Sequence, residues 1–344
     1  MKIARRQLGL FILLFAVSSL LVHSPPEAFA DVGDITAVRS ESLGNNLRHG
    51  YASWNSFVHV DEDTYALAYL SQAGTGKGRI STFTISSDGD TITELDTLQH
   101  TGSRGGYNSL VRVDSDTVAL AFTGTGGDGF ITTFTIDSNG NITKVDTLEH
   151  DTHQSSISFN TLLHVNSDMY ALAYDRSNTN LISTVTIDSD GNITAVKTQS
   201  EGNNFEYGLT TDAYSRSLVH VDEDTYALAH GDSRVGNIST FTISSDGETI
   251  TALDSLEHDA NYAMRGSAVK VNSYTVAVAY YGGSPTTGSI STFTIGDSTS
   301  PTVTITSSTG DSGDTVSDTT LSYTATFSES TSNFVVGDLS LIHI

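Results

Sequence analysis

The chain has 344 residues and carries 40 Asp and Glu against 16 Lys and Arg, for a formal net charge of −24 at pH 7. An acidic surface of this kind repels nucleic-acid phosphates and anionic lipid headgroups, so it argues against a nucleic-acid partner. The sequence has no cysteine, which removes disulfides, thiol catalysis and thiolate metal sites from consideration.

The first 30 residues have the pattern of a secretory signal peptide. A basic start, MKIARRQ, precedes the apolar run LGLFILLFAVSSLLV and the small-x-small sequence Ala28-Phe29-Ala30. The apolar run is short for a membrane span, although an uncleaved anchor is the alternative. We expect a mature chain from Asp31 that is secreted or held at the cell surface, with no membrane insertion after cleavage.

Residues 31–297 consist of a repeated unit of 50 to 56 residues. In the first unit, the segments SFVHV, YALAY and ISTFTI alternate apolar and polar residues and are rich in Val, Ile, Thr and Tyr, as β-strands are. Turns such as SSDG and DSNG then lead to a fourth segment, for example ITKVDTLEH. Four antiparallel strands that repeat at this interval predict the blade of a β-propeller.

The number of strands indicates how such a ring would close. The three-strand segment occurs five times, and the fourth segment follows it four times. The last unit ends at FTIGDSTSP without a fourth segment, whereas GDITAV at residues 33–38 matches GNITAV at residues 191–196. Because proteins protect exposed strand edges, we expect residues 33–38 to complete the last blade. The prediction is an all-β, five-bladed β-propeller closed by an N-terminal strand, with an open stack of the same units as the alternative.

The composition changes in residues 298–344. This stretch is rich in Thr and Ser, with strand-like runs TVTIT and LSYTATFS. Residues 301–340 resemble the opening of a bacterial immunoglobulin-like domain of the kind found in surface adhesins. A complete sandwich of that type needs roughly 100 residues, so we expect a linker and a truncated Ig-like β-sandwich here.

The repeats themselves resemble a known group of proteins. The pattern YALAY…ISTFTI…DGNIT across residues 33–296 is similar to that of uncharacterised secreted or surface β-propeller repeat proteins of bacteria and archaea. This resemblance implies an extracellular propeller and implies little about its ligand.

The start of the first strand of each unit is the predicted ligand-binding site. Three units place an aromatic residue beside an asparagine there, and the other two supply an arginine each. Aromatic faces with amide and guanidinium donors suit a sugar or another polar ring, although the rings could instead plug a channel while the asparagines cap turns. The predicted residues are Trp54, Asn55, Tyr107, Asn108, Phe159, Asn160, Arg216 and Arg265.

The sequence offers only weak candidates for a metal site. The turn DSDGN supplies Asp188 and Asp190 as possible weak calcium ligands, but it lacks the downstream glutamate of an EF-hand. His59, His164 and His220 share one place in the repeat, where the other two units carry a basic residue that would repel a cation. We therefore expect hydrogen-bonding roles for these histidines and no cofactor beyond weakly bound calcium.

Three classes of function are compatible with these features. Export, the acidic surface and the Ig-like segment favour a binding or adhesion module that recognises carbohydrate or another surface ligand, with a glycan or a cell-surface or matrix protein as partner. A structural surface-layer or matrix repeat without a small ligand is the alternative. A glycoside-active propeller enzyme is the lesser alternative. Because a glycosidase needs paired carboxylates and the predicted site positions contain none, we expect a protein that is not an enzyme.

Overall fold

The structure is a computed structural model. It describes residues 37–38, 52–71, 76–152, 157–177, 179–200, 216–232, 235–260, 264–282, 287–296, 303–307 and 323–327. In these ranges the protein is all-β, with a single 3-10 turn at Thr125–Gly127. No helix in the same ranges is long and apolar enough to cross a membrane. The predicted signal peptide lies outside the described residues.

Five antiparallel sheets follow one another along the chain, each built from consecutive strands. Sheet 1 contains β1 (Ala52–Asp61), β2 (Thr64–Ser71), β3 (Lys77–Ile85) and β4 (Ile92–Thr101). Sheet 2 contains β5 (Gly106–Arg112), β6 (Thr117–Thr123), β7 (Gly129–Ile136) and β8 (Ile142–Asp151). Sheet 3 contains β9 (Ile157–Asn166), β10 (Met169–Arg176), β11 (Thr179–Ile187) and β12 (Ile193–Ser200). Sheet 4 contains β13 (Arg216–Asp222), β14 (Thr225–Asp232), β15 (Val235–Ile243) and β16 (Ile250–Asp259). Sheet 5 contains the three described strands β17 (Met264–Asn272), β18 (Thr275–Gly282) and β19 (Thr287–Thr294).

These sheets confirm the prediction of an all-β, propeller-like fold made of repeated units. They all lie in the compact unit Glu41–Ile344. Of the unit Met1–Ser40, the structure describes Ala37 and Val38, which are exposed and outside any strand. The predicted closing strand, residues 33–38, therefore falls mostly outside the described residues.

The turn between the third and fourth strands has the glycine that the sequence predicts. Gly89, Gly140, Gly191 and Gly247 have φ between 71° and 81°, which favours glycine over any residue with a side chain. In sheet 2, Asp137 Oδ1 accepts hydrogen bonds at 2.9 Å from the backbone N–H groups of Asn139 and Asn141. The same local chemistry repeats along the chain, so each hairpin is specified by its own turn.

The sheets pack face to face, with small side chains of one sheet against large side chains of the next. In sheet 2, Ala119 and Ala121 point toward sheet 3 and pack in one core with Tyr170 and Leu172. Alternate residues point the other way, and Leu120 lies in the core shared with sheet 1. Because alanine on one sheet meets large side chains on the next, a single strand sequence, YALAY, can be stacked repeatedly. The described residues form four such cores, one between each pair of consecutive sheets.

The far face of sheet 5 has no covering sheet among the described residues. Its Ile290 is 75 % exposed. The equivalent isoleucines of the other sheets are nearly inaccessible: Ile80 0 %, Ile131 0 %, Ile182 1 % and Ile238 5 %. Within the part of the chain that the structure describes, sheet 5 is thus packed on one face.

A separate two-stranded sheet follows the repeats. Strands β20 (Val303–Ser307) and β21 (Tyr323–Phe327) pair antiparallel, with Ile305 opposite Ala325. They coincide with the strand-like runs predicted near the C-terminus.

Candidate functional site

Three aromatic residues at the start of the first strands share an unusual backbone conformation. Trp54, Tyr107 and Phe159 have φ values of 58°, 52° and 56°. Each lies at a β-bulge, where the pairing of the first two strands of its sheet is irregular. A left-handed conformation costs a residue with a side chain about 1–2 kcal/mol. The same strained position in three sheets indicates that the surrounding structure imposes it.

This conformation brings the three rings together. The ring centroids of Trp54 and Tyr107 are 3.9 Å apart, and those of Tyr107 and Phe159 are 4.8 Å apart in an edge-to-face arrangement. Trp54 is 43 % exposed, so part of the cluster is accessible to solvent. The structure therefore assembles the predicted aromatic residues, and their role in ligand binding stays a prediction.

The asparagines next to these rings join one sheet to the preceding one. Asn108 Nδ2 donates to the carbonyl of Trp54 at 3.0 Å, and Asn160 Nδ2 donates to the carbonyl of Tyr107 at 3.1 Å. Asn160 Nδ2 also lies 3.4 Å from Thr123 Oγ1. Each amide thus satisfies a backbone carbonyl in the bulge of the preceding sheet, and a role of these asparagines in ligand binding stays a prediction.

Asn160 also has an atom that could receive a ligand. The residue is 7 % exposed, and its Oδ1 is buried with no hydrogen-bond partner among the described residues. Asn55, at the same place in sheet 1, is exposed. Arg265 lies in β17, and its side chain falls outside the described residues.

Sheets 3 and 4 replace the amide contact with a buried ion pair. Arg216 occupies the asparagine position, and its Nη2 lies 3.2 Å from Asp175 Oδ2. The two side chains are 3 % and 9 % exposed. Asp175 stands where Thr123 stands in sheet 2, so the pair Asp175–Arg216 corresponds to the pair Thr123–Asn160. Burying two charges is costly unless they are paired, and here each is held beside its partner.

The charge of Asp175 affects one member of the aromatic cluster. Burial, and after it the negative charge of Asp175, raise the pKa of the Tyr107 phenol. The site thus contains an acid, which the sequence analysis missed because it inspected only the start of the first strand. The available signal was the joint change from Thr123 and Asn160 to Asp175 and Arg216 in successive units.

A second carboxylate with an arginine lies on the neighbouring strand end. Asp151, 7 % exposed, accepts hydrogen bonds from Tyr174 Oη at 3.1 Å and from Arg176 Nη1 at 3.2 Å. Burial raises the pKa of Tyr174 to about 12, so the phenol keeps its proton and donates at neutral pH. Arg176 directly follows Asp175, so the end of β10 carries an acidic residue and a basic residue in sequence.

One buried histidine belongs to the same region. His230 Nε2 lies 3.0 Å from Ser239 Oγ, and the residue is 4 % exposed. Burial, followed by the positive charge of Arg216, lowers the pKa of His230 to about 3. The imidazole is consequently neutral at pH 7 and adds no charge beside the ion pair.

The histidines and aspartates that the sequence analysis considered for a metal site have hydrogen-bond partners in the structure. His59, His164 and His220 each bond through Nε2, at 2.9 Å, to a backbone carbonyl of the adjacent turn, as the sequence analysis expected. Asp188 accepts from the backbone N–H groups of Asp190 and Asn192, at 3.0 and 2.8 Å. Among the described residues no group of three or more His, Asp or Glu could hold a metal ion. Calcium binding at Asp188 and Asp190 stays a prediction.

Comparisons with known proteins give a fold and no family. No family model matches the chain, and no curated protein matches it. Several solved structures are similar at low identity. A protein from Lactobacillus plantarum has 16% sequence identity and a TM-score of 0.46, over 70% of this chain and 69% of that one. A periplasmic gluconolactonase from Pseudomonas aeruginosa has 10% identity and a TM-score of 0.40, over 73% and 88% of the two chains. A putative 6-phosphogluconolactonase from Bacteroides fragilis has 10% identity and a TM-score of 0.37, over 70% and 84%.

These structures correct the functional expectation drawn from the sequence. The expectation of a non-catalytic adhesion module, and of a protein that is not an enzyme, is contradicted, because two of the three similar structures are named as lactonase enzymes. The expectation was based on the start of the first strand of each unit alone. The sequence analysis found no carboxylate at the start of the first strand, whereas Asp175 reaches the site from the end of the second strand.

Proposed function

We propose that the protein is a hydrolase that cleaves a small, polar cyclic ester beside the aromatic cluster. The observation that supports this proposal is the buried Asp175–Arg216 ion pair, whose carboxylate charge contributes to the raised pKa of the Tyr107 phenol. Carboxylate, guanidinium and phenol together are groups that ester hydrolysis can use, and they lie where the aromatic faces could hold a ring.

The two charged groups have complementary roles in the proposed reaction. Asp175 takes a proton from a water molecule while the oxygen of that water adds to the ester carbonyl carbon. Arg216 donates to the carbonyl oxygen, which becomes negative in the tetrahedral intermediate. The ring C–O bond then breaks, and the proton passes from Asp175 to the leaving ring oxygen. Burial strengthens both interactions, because the local dielectric is lower than that of water.

The surrounding residues fit a hydroxylated ring. Trp54 offers a partly exposed indole face, against which the C–H face of a saturated ring can pack. The buried Oδ1 of Asn160 can accept a hydrogen bond from a substrate hydroxyl. Glucono-δ-lactone is the first substrate to assay, since it carries both features and a gluconolactonase is among the structures of similar fold.

The experiment needs a variant that removes the chemistry and keeps the packing. Changing one partner alone would leave a buried charge, which costs about 3–5 kcal/mol. The double variant Asp175→Thr/Arg216→Asn instead recreates the Thr123–Asn160 contact of the neighbouring sheets. A pH-stat assay of lactone hydrolysis should show at least a ~100-fold loss of kcat/KM for this variant.

Matched measurements make the result decisive. The thermal midpoint of the double variant should stay within a few degrees of the wild type (a change of about 1 kcal/mol). Asp137→Asn, in an exposed turn of sheet 2, should retain full activity. A wild-type rate no higher than the buffer rate, or a double variant as active as the wild type, would contradict the proposal.

The finer architecture is part of the proposal as well. The five repeated units are proposed to be the five blades of one propeller, and residues 298–344 the linker and beginning of an Ig-like domain.

The leader pattern of residues 1–30 supports export to the exterior or the cell surface. N-terminal sequencing of the secreted protein tests this, with a start at Asp31 as the expected result.

A further inference from the structure

The two ends of sheet 1 carry opposite charges. Its hairpin turns, between β1 and β2 and between β3 and β4, lie together at one end, because the backbone N–H of Ile85 donates to the carbonyl of Asp63 at 2.9 Å. These turns and their flanks carry Asp61, Glu62, Asp63, Asp88 and Asp90. The other end carries three basic residues: Lys77 and Arg79 in β3, and Arg104 in the connection from β4 to β5. A chain with a net charge of −24 thus collects positive charge at one place.

Close backbone packing holds Arg104 beside the start of β3. The backbone N–H of Gly105 donates to the carbonyl of Gly76 at 3.4 Å. A Cβ atom on Gly105 would collide with the Cα of Gly78, so this approach of the two chains requires glycine. The basic residues next to these glycines, Lys77 and Arg104, therefore belong to adjoining backbone segments.

The same segment lies beside Trp54. Asn108 Nδ2 donates to the carbonyl of Gly105 at 3.2 Å as well as to that of Trp54. A Cβ atom on Gly106 would lie 3.2 Å from Trp54 Cδ1, so the chain just after Arg104 passes close to the indole. Because Trp54 is partly exposed, a ligand that contacts the indole would also lie near this segment.

Arg79 approaches Trp54 from within sheet 1. The partner of Arg79 on β2 is Tyr69. The pairing of β1 with β2 is irregular between Ser53 and Ser56, and the Trp54 bulge lies opposite the same tyrosine. Neighbouring strands are about 4.8 Å apart, so Arg79 lies roughly 10 Å from the bulge across the sheet.

Arg79 also has a donor that a ligand can use. The residue is half-buried, and its Nε is buried with no hydrogen-bond partner among the described residues. A buried donor without an acceptor is costly, and an oxygen atom of a ligand would satisfy it.

Among the described residues, no carboxylate is paired with the basic residues at this end of sheet 1. The ion pairs in those ranges lie between later sheets and involve Arg176 and Arg216. Lys77, Arg79 and Arg104 make none with any described residue. Like charges repel, and a bound anion would relieve the repulsion among these three side chains.

We propose that Lys77, Arg79 and Arg104 bind the anionic group of a small ligand beside Trp54. Phosphate and carboxylate are the groups that fit, because a guanidinium donates through paired N–H groups to the oxygens of either, and the lysine ammonium adds a third charge. The rest of the ligand then lies next to the accessible part of the indole. This inference goes beyond ester hydrolysis and rests on residues other than those of the proposed ester chemistry.

Fluorescence quenching tests the proposal without any assay of activity. Trp54 is the single tryptophan of the sequence, so tryptophan emission reports on this place in the fold. A positive potential concentrates the anionic quencher iodide near the indole and has no such effect on neutral acrylamide. At an ionic strength of about 0.1 M, charges act over roughly 10 Å. Lys77→Gln/Arg79→Gln/Arg104→Gln should then lower the iodide Stern–Volmer constant at least ~2-fold and leave the acrylamide constant unchanged.

A matched control removes three positive charges elsewhere. Arg112→Gln/Lys144→Gln/Lys197→Gln changes exposed residues of β5, β8 and β12, and should keep the wild-type iodide constant. Arg112 lies at the other end of β5, about 20 Å from the first residue of that strand. If the site variant unfolds, its acrylamide constant changes, and Lys77→Gln/Arg104→Gln, which retains the half-buried Arg79, replaces it with the same expected direction.

Two anions then identify the ligand group. Inorganic phosphate and D-gluconate, each compared with chloride at the same ionic strength, should protect Trp54 from iodide in the wild type and not in the site variant. Stronger protection by phosphate assigns a phosphorylated ligand, and stronger protection by gluconate assigns a carboxylate. Equal iodide constants for the wild type and the site variant, or no protection by either anion, would overturn the proposal. Neither variant changes Asp175 or Arg216, so lactone hydrolysis is an independent result.

Discussion

At the scale of single residues, the candidate site is held by backbone strain and by the amides that compensate it. Trp54, Tyr107 and Phe159 adopt left-handed conformations that only the surrounding bulges and hydrogen bonds can maintain. Asn108 and Asn160 satisfy the carbonyls that these bulges turn away from the strand ladder. Positioning of the rings thus depends on amides in the next sheet.

Removal of one amide should therefore destabilise the protein. Asn160→Ala loses the hydrogen bond to the Tyr107 carbonyl and leaves that carbonyl unsatisfied, at an expected cost of about 1–3 kcal/mol. Asn55→Ala, at the exposed equivalent position, should change the free energy of unfolding by no more than ~0.5 kcal/mol. Urea denaturation of both variants measures the difference, and equal midpoints would argue against the bracing role.

Buried histidines add a pH dependence to stability. The His100 and His150 rings pack edge-to-face on Phe122 and Tyr174 of the next sheet. Burial lowers the pKa of His100 to about 3 and that of His150 to about 4, below the ordinary value of 6.5. At a pH between these lowered pKa values and 6.5, the two imidazoles are protonated in the unfolded chain and neutral in the folded protein. The stability that the neutral imidazoles of His100 and His150 contribute is therefore present above pH 6.5 and is lost as the pH falls toward 4.

The thermal midpoint should accordingly fall between pH 7 and pH 4.5. His150→Phe keeps an aromatic ring against Tyr174 and removes the titration, so its midpoint should fall less over the same range. The double variant His100→Phe/His150→Phe should show about twice that reduction in slope, because the two sites act independently. Parallel slopes for wild type and both variants would show that other groups control the acid sensitivity.

At the scale of elements, the stacking of sheets depends on alanine facing large side chains. Ala171 is 0 % exposed and lies in the core between sheets 3 and 4, with Tyr226 and Leu228 opposite. A larger side chain there has no space to occupy without moving one of the two sheets. The contact is as closely packed as a protein core, where even one added methylene group affects stability.

Ala171→Leu should therefore cost about 1–3 kcal/mol through overpacking. Ala195→Leu, on an exposed position of β12, adds the same atoms without that constraint and should stay within ~0.5 kcal/mol of the wild type. Guanidinium denaturation at pH 7 compares them. An Ala171→Leu variant as stable as the wild type would show that the sheets can separate freely at this interface.

At the scale of the whole molecule, the sheets form a series whose last member is incompletely covered. Four cores join five sheets, and the outer face of sheet 5, with Ile290, Val269 and Val271, is exposed among the described residues. Exposed apolar residues that share one sheet face are typical of a surface that packs against another part of a protein. The five-bladed arrangement proposed above would cover it with sheet 1.

Much of the fold was readable from the sequence because its determinants are local. Period-two alternation, β-branched residues and Gly-containing turns lie within a few residues of one another, so the strands of the first four units and the three described strands of the fifth were predicted at their observed places. The aromatic and asparagine positions were found the same way, as a column in the repeat. Repetition also exposed GDITAV as a segment that matches the fourth strands.

The chemistry of the site depended on tertiary structure. Asp175 and Arg216 are 41 residues apart in sequence and belong to different sheets, so only the packing of sheet 4 on sheet 3 brings their charges to 3.2 Å. The left-handed conformations of the aromatic residues were likewise invisible to pattern analysis, because an L-residue enters that region only when its neighbours compel it. Sequence alone determined the repeated strands and their turns, since those follow from short-range periodicity. The tertiary structure alone decided that the carboxylate of Asp175 and the guanidinium of Arg216 form a buried pair between sheets 3 and 4, since burial and contact between sheets are properties of the assembled fold.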